Sequence, residues 1–368
     1  MKILVTGANG FVGKNLVVKL NENGYRDIVS FSRDNDISEL SGLVSDVDFV
    51  FHLAGVNRPE HEIEFAEGNT DFTQTLVEAL EEAGRDIPIV FSSSIQAIGD
   101  SPYGKSKAAA EKLILDYSNV SGALAYVYQL PNVFGKWCKP NYNSVIATFC
   151  HNIAHDLPIS VHDENAALSL VYIDDVCDEF IQLLSLRQSS GYKEISVVYK
   201  TTVGAVVKLF DKFKNSRETL ITEEVGTGLT RALYSTFLSY YSKDQFSYLV
   251  PGHSDPRGTF VEMLKTPTAG QFSFFTAHSG VTRGGHYHHS KNEKFLVING
   301  KAKYRFKHIL SGETYELVTD ASEYRVVETV PGWTHDITNI GEQKLIVMLW
   351  ANEIFDRSKP DTVASLIE

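Results

Sequence analysis

Apolar positions along this 368-residue chain follow two rhythms that meet near residue 244. In the first part, short apolar runs alternate with stretches of helical spacing. Ile3-Leu4-Val5 precedes Leu16, Val17 and Leu20, and Ile28-Val29-Ser30-Phe31 leads on to another apolar run over 48–55. Residues 69–84 set Phe72, Leu76, Val77 and Leu80 on one helical face, and Ile87-Pro88-Ile89-Val90-Phe91 follows as a strand. A helix through 108–117, a strand over 125–129 and helices over 203–213 and 229–240 extend the alternation. Apolar strands separated by amphipathic helices predict a parallel sheet covered on both faces. From Phe246 onward the helical spacing stops. Short β-rich runs over 258–264, 272–277, 294–298, 303–307, 324–327 and 345–349, punctuated by Gly and Pro, predict an all-β sandwich or jelly-roll barrel. Two domains follow from this, 1–243 and 244–368.

Composition narrows the class of partner. With 43% apolar and 22% charged residues the chain is an ordinary globular protein with a sizeable core. The formal net charge of −12 comes without a basic run, which speaks against a nucleic-acid or anionic-membrane surface and for a small-molecule partner. Cys138, Cys150 and Cys177 are widely spaced and odd in number, as expected of core residues in a reducing compartment. The chain opens directly on a strand-like segment, and no run of eighteen apolar residues occurs. The expectation is a soluble cytoplasmic protein without a membrane span.

Candidate chemistry begins at the first turn. Thr6-Gly7-Ala8-Asn9-Gly10-Phe11-Val12-Gly13 lies between strand and helix. Glycines at 7, 10 and 13 let the backbone approach a pyrophosphate, and the helix beyond offers free N–H groups, so Gly7, Asn9, Gly10, Phe11, Val12 and Gly13 are expected to hold a dinucleotide. The second strand runs into Ser32-Arg33, where an NAD enzyme places an acid on the ribose; Arg33 instead suits a 2′-phosphate and predicts NADPH. Leu53-Ala54-Gly55 ends the third strand with small residues past which a cofactor can run. Further on, a serine triplet at 92–94 precedes Tyr103-Gly104-Lys105-Ser106-Lys107. In a helix Tyr103 and Lys107 share a face at i and i+4. A neighbouring ammonium is expected to lower the tyrosine pKa, leaving Tyr103 to exchange a proton with a carbonyl oxygen that a serine hydroxyl holds.

Taken together, the glycine turn, the strand ending His52-Leu53-Ala54, the serine before the last turn and Tyr-x-x-x-Lys resemble the extended short-chain dehydrogenase/reductase family. The resemblance implies a Rossmann-like α/β domain and assigns the catalytic roles to Ser94, Tyr103 and Lys107. Family members that dehydrate sugars carry an acid-base pair after that serine, whereas this chain has Ile95-Gln96. Reduction, or epimerisation through a transient ketone, remains. The short interval between the second and third strands resembles the nucleotide-sugar ketone reductases of the family and leaves Asp36 and Ile37 as adenine neighbours. Asn132, in the loop that the family sets beside nicotinamide and substrate, is a substrate or cofactor contact or simply a turn residue. His52 reads as a satisfied core histidine and Asp175 as a helix cap.

In the second half, Gly280, His286, His288, Glu293 and Gly300 match the spacing Gly-x5-His-x-His-x4-Glu-x6-Gly, and residues 331–339 resemble the second motif of the cupin family, with His335 as a third imidazole. The resemblance implies a jelly-roll barrel in which His286, His288, Glu293 and His335 bind a divalent metal such as Zn²⁺. A metal-free barrel is the alternative. His289 and His308 lie off the motif and are expected to be exposed. Asp255-Pro256-Arg257-Gly258 with Phe260 and Glu262 resembles cupins that epimerise carbons beside the ketone of 4-keto nucleotide sugars. A reductase fused to such a barrel resembles the bifunctional bacterial capsular-polysaccharide enzymes. It implies C3 epimerisation of a UDP-2-acetamido-2,6-dideoxy-4-hexulose followed by NADPH-dependent reduction at C4, in a homodimer. The alternatives are a C4 epimerase, or a lone 4-keto-sugar reductase with a non-catalytic sugar-binding or dimerising barrel.

Overall fold

The computed structural model describes the chain outside residues 187, 256, 257, 262, 265, 267–269 and 354–357. The chain divides into two compact units. The first comprises Met1–Phe134, Asn141–Ser144 and Leu168–Lys200; the second comprises Gly135–Pro140, Val145–Ala167 and Thr201–Glu368.

In the first unit Lys2–Thr6 (β1), Asp27–Phe31 (β2), Phe49–His52 (β3), Ile89–Ser94 (β4) and Ala125–Leu130 (β5) join Gly191–Lys193 in one sheet. Its order is β2-β1-β3-β4-β5 and then Gly191–Lys193, parallel throughout. This is the α/β Rossmann-like architecture expected. Every residue of β3 is buried, as a strand covered on both faces must be. Leu4, Val50, Ile89 and Val127 of the sheet pack with Leu76 and Leu80 of the helix Phe72–Glu82 and with Ala110, Ile114 and Tyr117 of the helix Pro102–Ser121. The strand order reverses between β1 and β3, and such a switch point opens a crevice at the carboxyl ends of the strands. Between β2 and β3 the chain makes only a 3₁₀ turn, Ile37–Glu39, and a five-residue helix, Leu40–Val44, so the crossover there is short.

Two five-stranded antiparallel sheets dominate the second unit. One runs Ser247–Leu249, Arg325–Glu328, Glu293–Asn299, Leu345–Ala351, Gln271–Ala277; the other runs Thr314–Asp320, Lys301–His308, Trp333–Asn339, Thr282–Tyr287, Val363–Ala364. Their facing sides bury Phe295, Val297, Val327 and Val347 against Tyr304, Phe306, Trp333 and Ile337. The all-β barrel expected is therefore present. Gly280 and Gly300 both take left-handed φ, +77° and +88°, which explains glycine at both ends of the first barrel motif. The strand expected to carry the His-x-His pair is Thr282–Tyr287, which holds His286 and ends one residue before His288. The strands Thr314–Asp320 and Trp333–Asn339 are additions to the sequence reading, the former alternating exposed and half-buried positions with no strong apolar run.

Helices Val145–Ala154, Val203–Thr219 and Gly228–Leu238 pack together in this same unit. A buried ionic triad fastens the second of them to the barrel. Glu328 accepts from Arg217 at 2.5 Å and from Lys294 at 2.5 Å, and Lys294 also donates to the Tyr248 hydroxyl at 3.0 Å.

Several single-residue expectations change here. Tyr172 is the N-cap of the helix Ile173–Gln182, so Asp175 lies in the first turn, where its charge meets the helix dipole instead of capping an N–H. His289 is 7% exposed, and His308 is partly buried and accepts from the Trp137 indole at 3.1 Å, so neither is a free surface histidine. Cys150 and Cys177 are buried and Cys138 is partly so, all three as free thiols.

Candidate functional site

At the dinucleotide turn, Gly7 adopts φ +68° and its N–H donates to Phe31 O at 2.8 Å. A Cβ on Gly7 would lie 2.7 Å from Ala54 N, and one on Gly13 would lie 2.2 Å from Gly7 O. Both positions therefore need glycine to bring the first helix, Phe11–Glu22, against β1 and the end of β3. That helix begins with Gly10 as N-cap, has no side-chain cap and carries no acid in its first turn. Its amides are left to an anionic ligand, which fits a pyrophosphate. Asn9 is exposed and Phe11 and Val12 half-buried beside this end. Arg33 is exposed after β2, and the Ser32 hydroxyl donates to Asp34 at 3.3 Å. Asp36 accepts from the Ser38 N–H at 2.9 Å, and Ile37 is exposed.

The serine triplet ends β4. Ser94 caps the 3₁₀ turn Ile95–Ile98, its hydroxyl oxygen accepting from Gln96 N–H at 3.2 Å. The helix bearing Tyr103 starts on Ser101, which accepts from Gly104 N–H at 3.0 Å, with Pro102 in its first turn. A Cβ on Gly104 would sit 2.3 Å from Gln96 O, so glycine after the tyrosine seats the helix start on the Ser94 turn. The result is that the Ser94 hydroxyl lies close enough to the Tyr103 phenol to influence its ionisation. Lys107, 4% exposed, donates to Ser92 O at 2.8 Å and lies 4.3 Å over the Phe91 ring. Burial lowers its pKa to about 8, against the opposing pull of Glu111. The Tyr103 pKa moves the other way from expectation: burial raises it, and the neighbouring Ser94 hydroxyl only partly offsets this.

Other residues shape the site without a motif to announce them. Asn69, in the π-helical turn Ala66–Asp71, accepts from Val56 N–H at 2.8 Å and donates to Val56 O at 3.0 Å and to the Ser106 hydroxyl at 2.9 Å. It thereby fixes the loop after Leu53 and Ala54, where a Cβ on Gly55 would lie 2.9 Å from its amide oxygen and 3.6 Å from Lys107 Nζ. Glu111, also buried, accepts from Ser93, from Gln129 at 3.1 Å and from Tyr192 at 3.0 Å. His52 is the core histidine expected, bonded to Thr6 at 2.7 Å and to Thr73 at 2.8 Å. Asn132 is exposed in the strand Asn132–Phe134 and donates to Ser169 O at 3.4 Å.

A separate cluster lies in the barrel. The ligand atoms of His286, His288, Glu293 and His335 all fall within 4.8 Å of one another. His288 Nδ1 faces the Asp361 carbonyl, which can only accept, so that nitrogen carries the proton. In the neutral ring Nε2 then turns a lone pair toward Glu293 at 3.2 Å. His335 Nε2 is buried without a hydrogen bond, 3.4 Å from the same carboxylate oxygen. Lone pairs converging on a carboxylate call for a cation among them, and three imidazoles with one carboxylate fit a divalent metal. Burial and the neighbouring imidazoles push His286 down to about 3, and burial also lowers His335, leaving both in the neutral form that a metal accepts. A cavity of about 160 Å³ adjoins the cluster, lined also by Arg283, Tyr304 and Asp336. Of the opening segment that resembled keto-sugar epimerases, Pro256, Arg257 and Glu262 lie outside the described residues.

Comparison with known proteins covers the whole chain. Residues 3–198 match the NAD dependent epimerase/dehydratase family, and residues 253–363 match the polysaccharide biosynthesis C-terminal domain. A UDP-2-acetamido-2,6-beta-L-arabino-hexul-4-ose reductase from Pseudomonas aeruginosa is 55% identical over 99% of this chain and 98% of its own. The crystal structure of the capsular polysaccharide assembling protein CapF from Staphylococcus aureus superposes over the full length of both chains with 41% identity and a TM-score of 0.69. CapF with the inhibitor 3-isopropenyl-tropolone matches over the same span with 37% identity and a TM-score of 0.64. The chain therefore belongs to the NAD dependent epimerase/dehydratase family and carries a polysaccharide biosynthesis C-terminal domain behind it.

Proposed function

We propose that the protein is a reductase of a UDP-linked 4-keto-6-deoxy amino sugar in capsule or polysaccharide biosynthesis, and that its barrel epimerises C3 of the same sugar before reduction. Buried Lys107, donating to Ser92 O at 2.8 Å from the helix that also carries Tyr103, at the carboxyl end of β4 where Ser94 lies, is the observation that carries the reductase half. NADPH, when bound along the glycine turn, supplies the hydride for C4. Ser94 then holds the ketone oxygen and Tyr103 gives that oxygen its proton, while Lys107 keeps positive charge behind the phenol. Arg33 supports NADPH over NADH, since it is exposed where a 2′-phosphate would lie. The name of the Pseudomonas relative supports the ketone and the sugar class.

The His286, His288, Glu293 and His335 cluster supports the epimerase half. A divalent metal, Zn²⁺ in this reading, would supply positive charge beside a ketone oxygen and so acidify the neighbouring C–H. Tropolones chelate metals through adjacent oxygens, and the inhibitor of CapF, 3-isopropenyl-tropolone, is of that class. Reductase chemistry is thus assigned to residues 1–243 and epimerase chemistry to 244–368, in a homodimer. Incubation with the 4-keto sugar in D₂O, with and without NADPH, tests both halves. Deuterium should enter C3 without reductant, and the C4 alcohol should form only with it. Tyr103→Phe should slow NADPH oxidation by about 10²–10⁴-fold and leave C3 exchange intact. Absence of exchange in the wild type would remove the epimerase assignment, and loss of both activities in the variant would show that the two sites are not separable.

A further inference from the structure

We propose that Asp361 is a positioning residue for the metal cluster of the barrel, an inference that rests on reading His286, His288, Glu293 and His335 as metal ligands. Its backbone carbonyl accepts from His288 Nδ1 at 2.5 Å, which fixes the ring tautomer and aims Nε2 at the cluster. Its side chain, 14% exposed, accepts from the backbone N–H groups of His289 at 2.9 Å, Ser290 at 2.7 Å and Lys291 at 2.7 Å, and from the Ser290 hydroxyl at 2.9 Å. Those three amides belong to the turn between two ligands, His288 and Glu293. One carboxylate thus sets the spacing of the pair.

The residues that follow Asp361 reach the other two ligands. Val363 and Ala364 pair with Tyr287 and His286, and Ser365 N–H donates to Gly285 O at 2.8 Å. The Ser365 and Thr334 hydroxyls are bonded at 2.8 Å, one residue before His335. A single short segment therefore touches the chain at or beside each imidazole. Outer-shell groups of this kind commonly change metal affinity by about 10–100-fold when removed. Without the carboxylate, the segment is no longer anchored, the His288 carbonyl acceptor drifts, and the imidazole is free to turn.

The test uses full-length protein stripped of metal and titrated with Zn²⁺ against a chromophoric chelator, with Co²⁺ spectra as a second readout. Asp361→Ala and Asp361→Asn should raise the Zn²⁺ Kd by about 10–100-fold and change the Co²⁺ ligand-field bands. NADPH oxidation, which the inference places elsewhere, reports that the chain has folded. Wild-type Kd and spectrum in both variants would overturn the proposal. Failure of both variants to fold with or without Zn²⁺ would overturn it too, in favour of a purely structural latch. A wild type that binds no Zn²⁺ or Co²⁺ would remove the metal reading itself, a result distinct from either.

Discussion

In the proposed reduction, Lys107 is the residue on which the pH dependence turns. Its ammonium is buried and titrates near pH 8, so it is charged below that pH and neutral above it. Once neutral, it no longer stabilises negative charge on Tyr103 after proton transfer. The kcat/KM for NADPH-dependent reduction should therefore fall as pH rises through about 8, and Lys107→Met should lose most of the activity and that limb with it. A profile flat to pH 9.5 in the wild type would contradict the assignment. Ser94, Tyr103 and Lys107 could be proposed from the sequence because the chemistry assigned to them is bound to local spacing. Asn69, Glu111 and Asp361 were not, since each gains its role from partners brought together by the fold: Asn69 meets Ser106, Glu111 meets Tyr192, and Asp361 meets the turn after His288. No spacing rule announces a carboxylate that caps amides seventy residues away. The direction of the Tyr103 pKa was equally hidden, because it depends on how deeply the fold buries the phenol.

Among the elements, the helix Val203–Thr219 and the strand Arg325–Glu328 are joined by charge inside the protein. Glu328 is 3% exposed and Lys294 is 2% exposed, so neither can be left unpaired at low cost. Glu328→Gln should destabilise the second unit by about 3–5 kcal/mol, measured by chemical denaturation, because it strands two cations in a dry site. Replacing Arg217, Lys294 and Glu328 together by apolar residues of similar size should cost much less, which separates the triad's geometry from the penalty of breaking it. The helix–strand alternation of the first half and the short crossover after β2 could be read in advance, since burial on both faces writes a continuous apolar run. The strand Thr314–Asp320 could not, as its alternating exposed and half-buried positions leave little apolar signal. The π-helical turn at Ala66–Asp71 also escaped, because it is set by the bonds Asn69 makes and not by periodicity.

For the molecule as a whole, a metal bound at the proposed His286, His288, Glu293 and His335 site should act as a folding ligand as well as a chemical one. A ligand held only by the native state adds about 2.7 kcal/mol at a free concentration of 100 Kd. Removing it with a chelator should lower the Tm, and added Zn²⁺ should restore it; a Tm indifferent to both would show that the cluster holds no structural ion. His288→Ala should abolish this response. Both architectures were legible from the rhythm of the sequence, yet the compact units are not two consecutive stretches, because the pattern reports which elements form and not which of them pack together. That interleaving has a consequence in time. The helix Val145–Ala154 buries Ile146, Phe149, Cys150 and Ile153 against helices that begin at Val203 and Gly228. On the ribosome it must wait for them, on the order of ten seconds at roughly 5–20 residues per second, with its apolar face uncovered. The first unit can close once Lys200 has emerged; the second is exposed to chaperones and to aggregation until the barrel arrives.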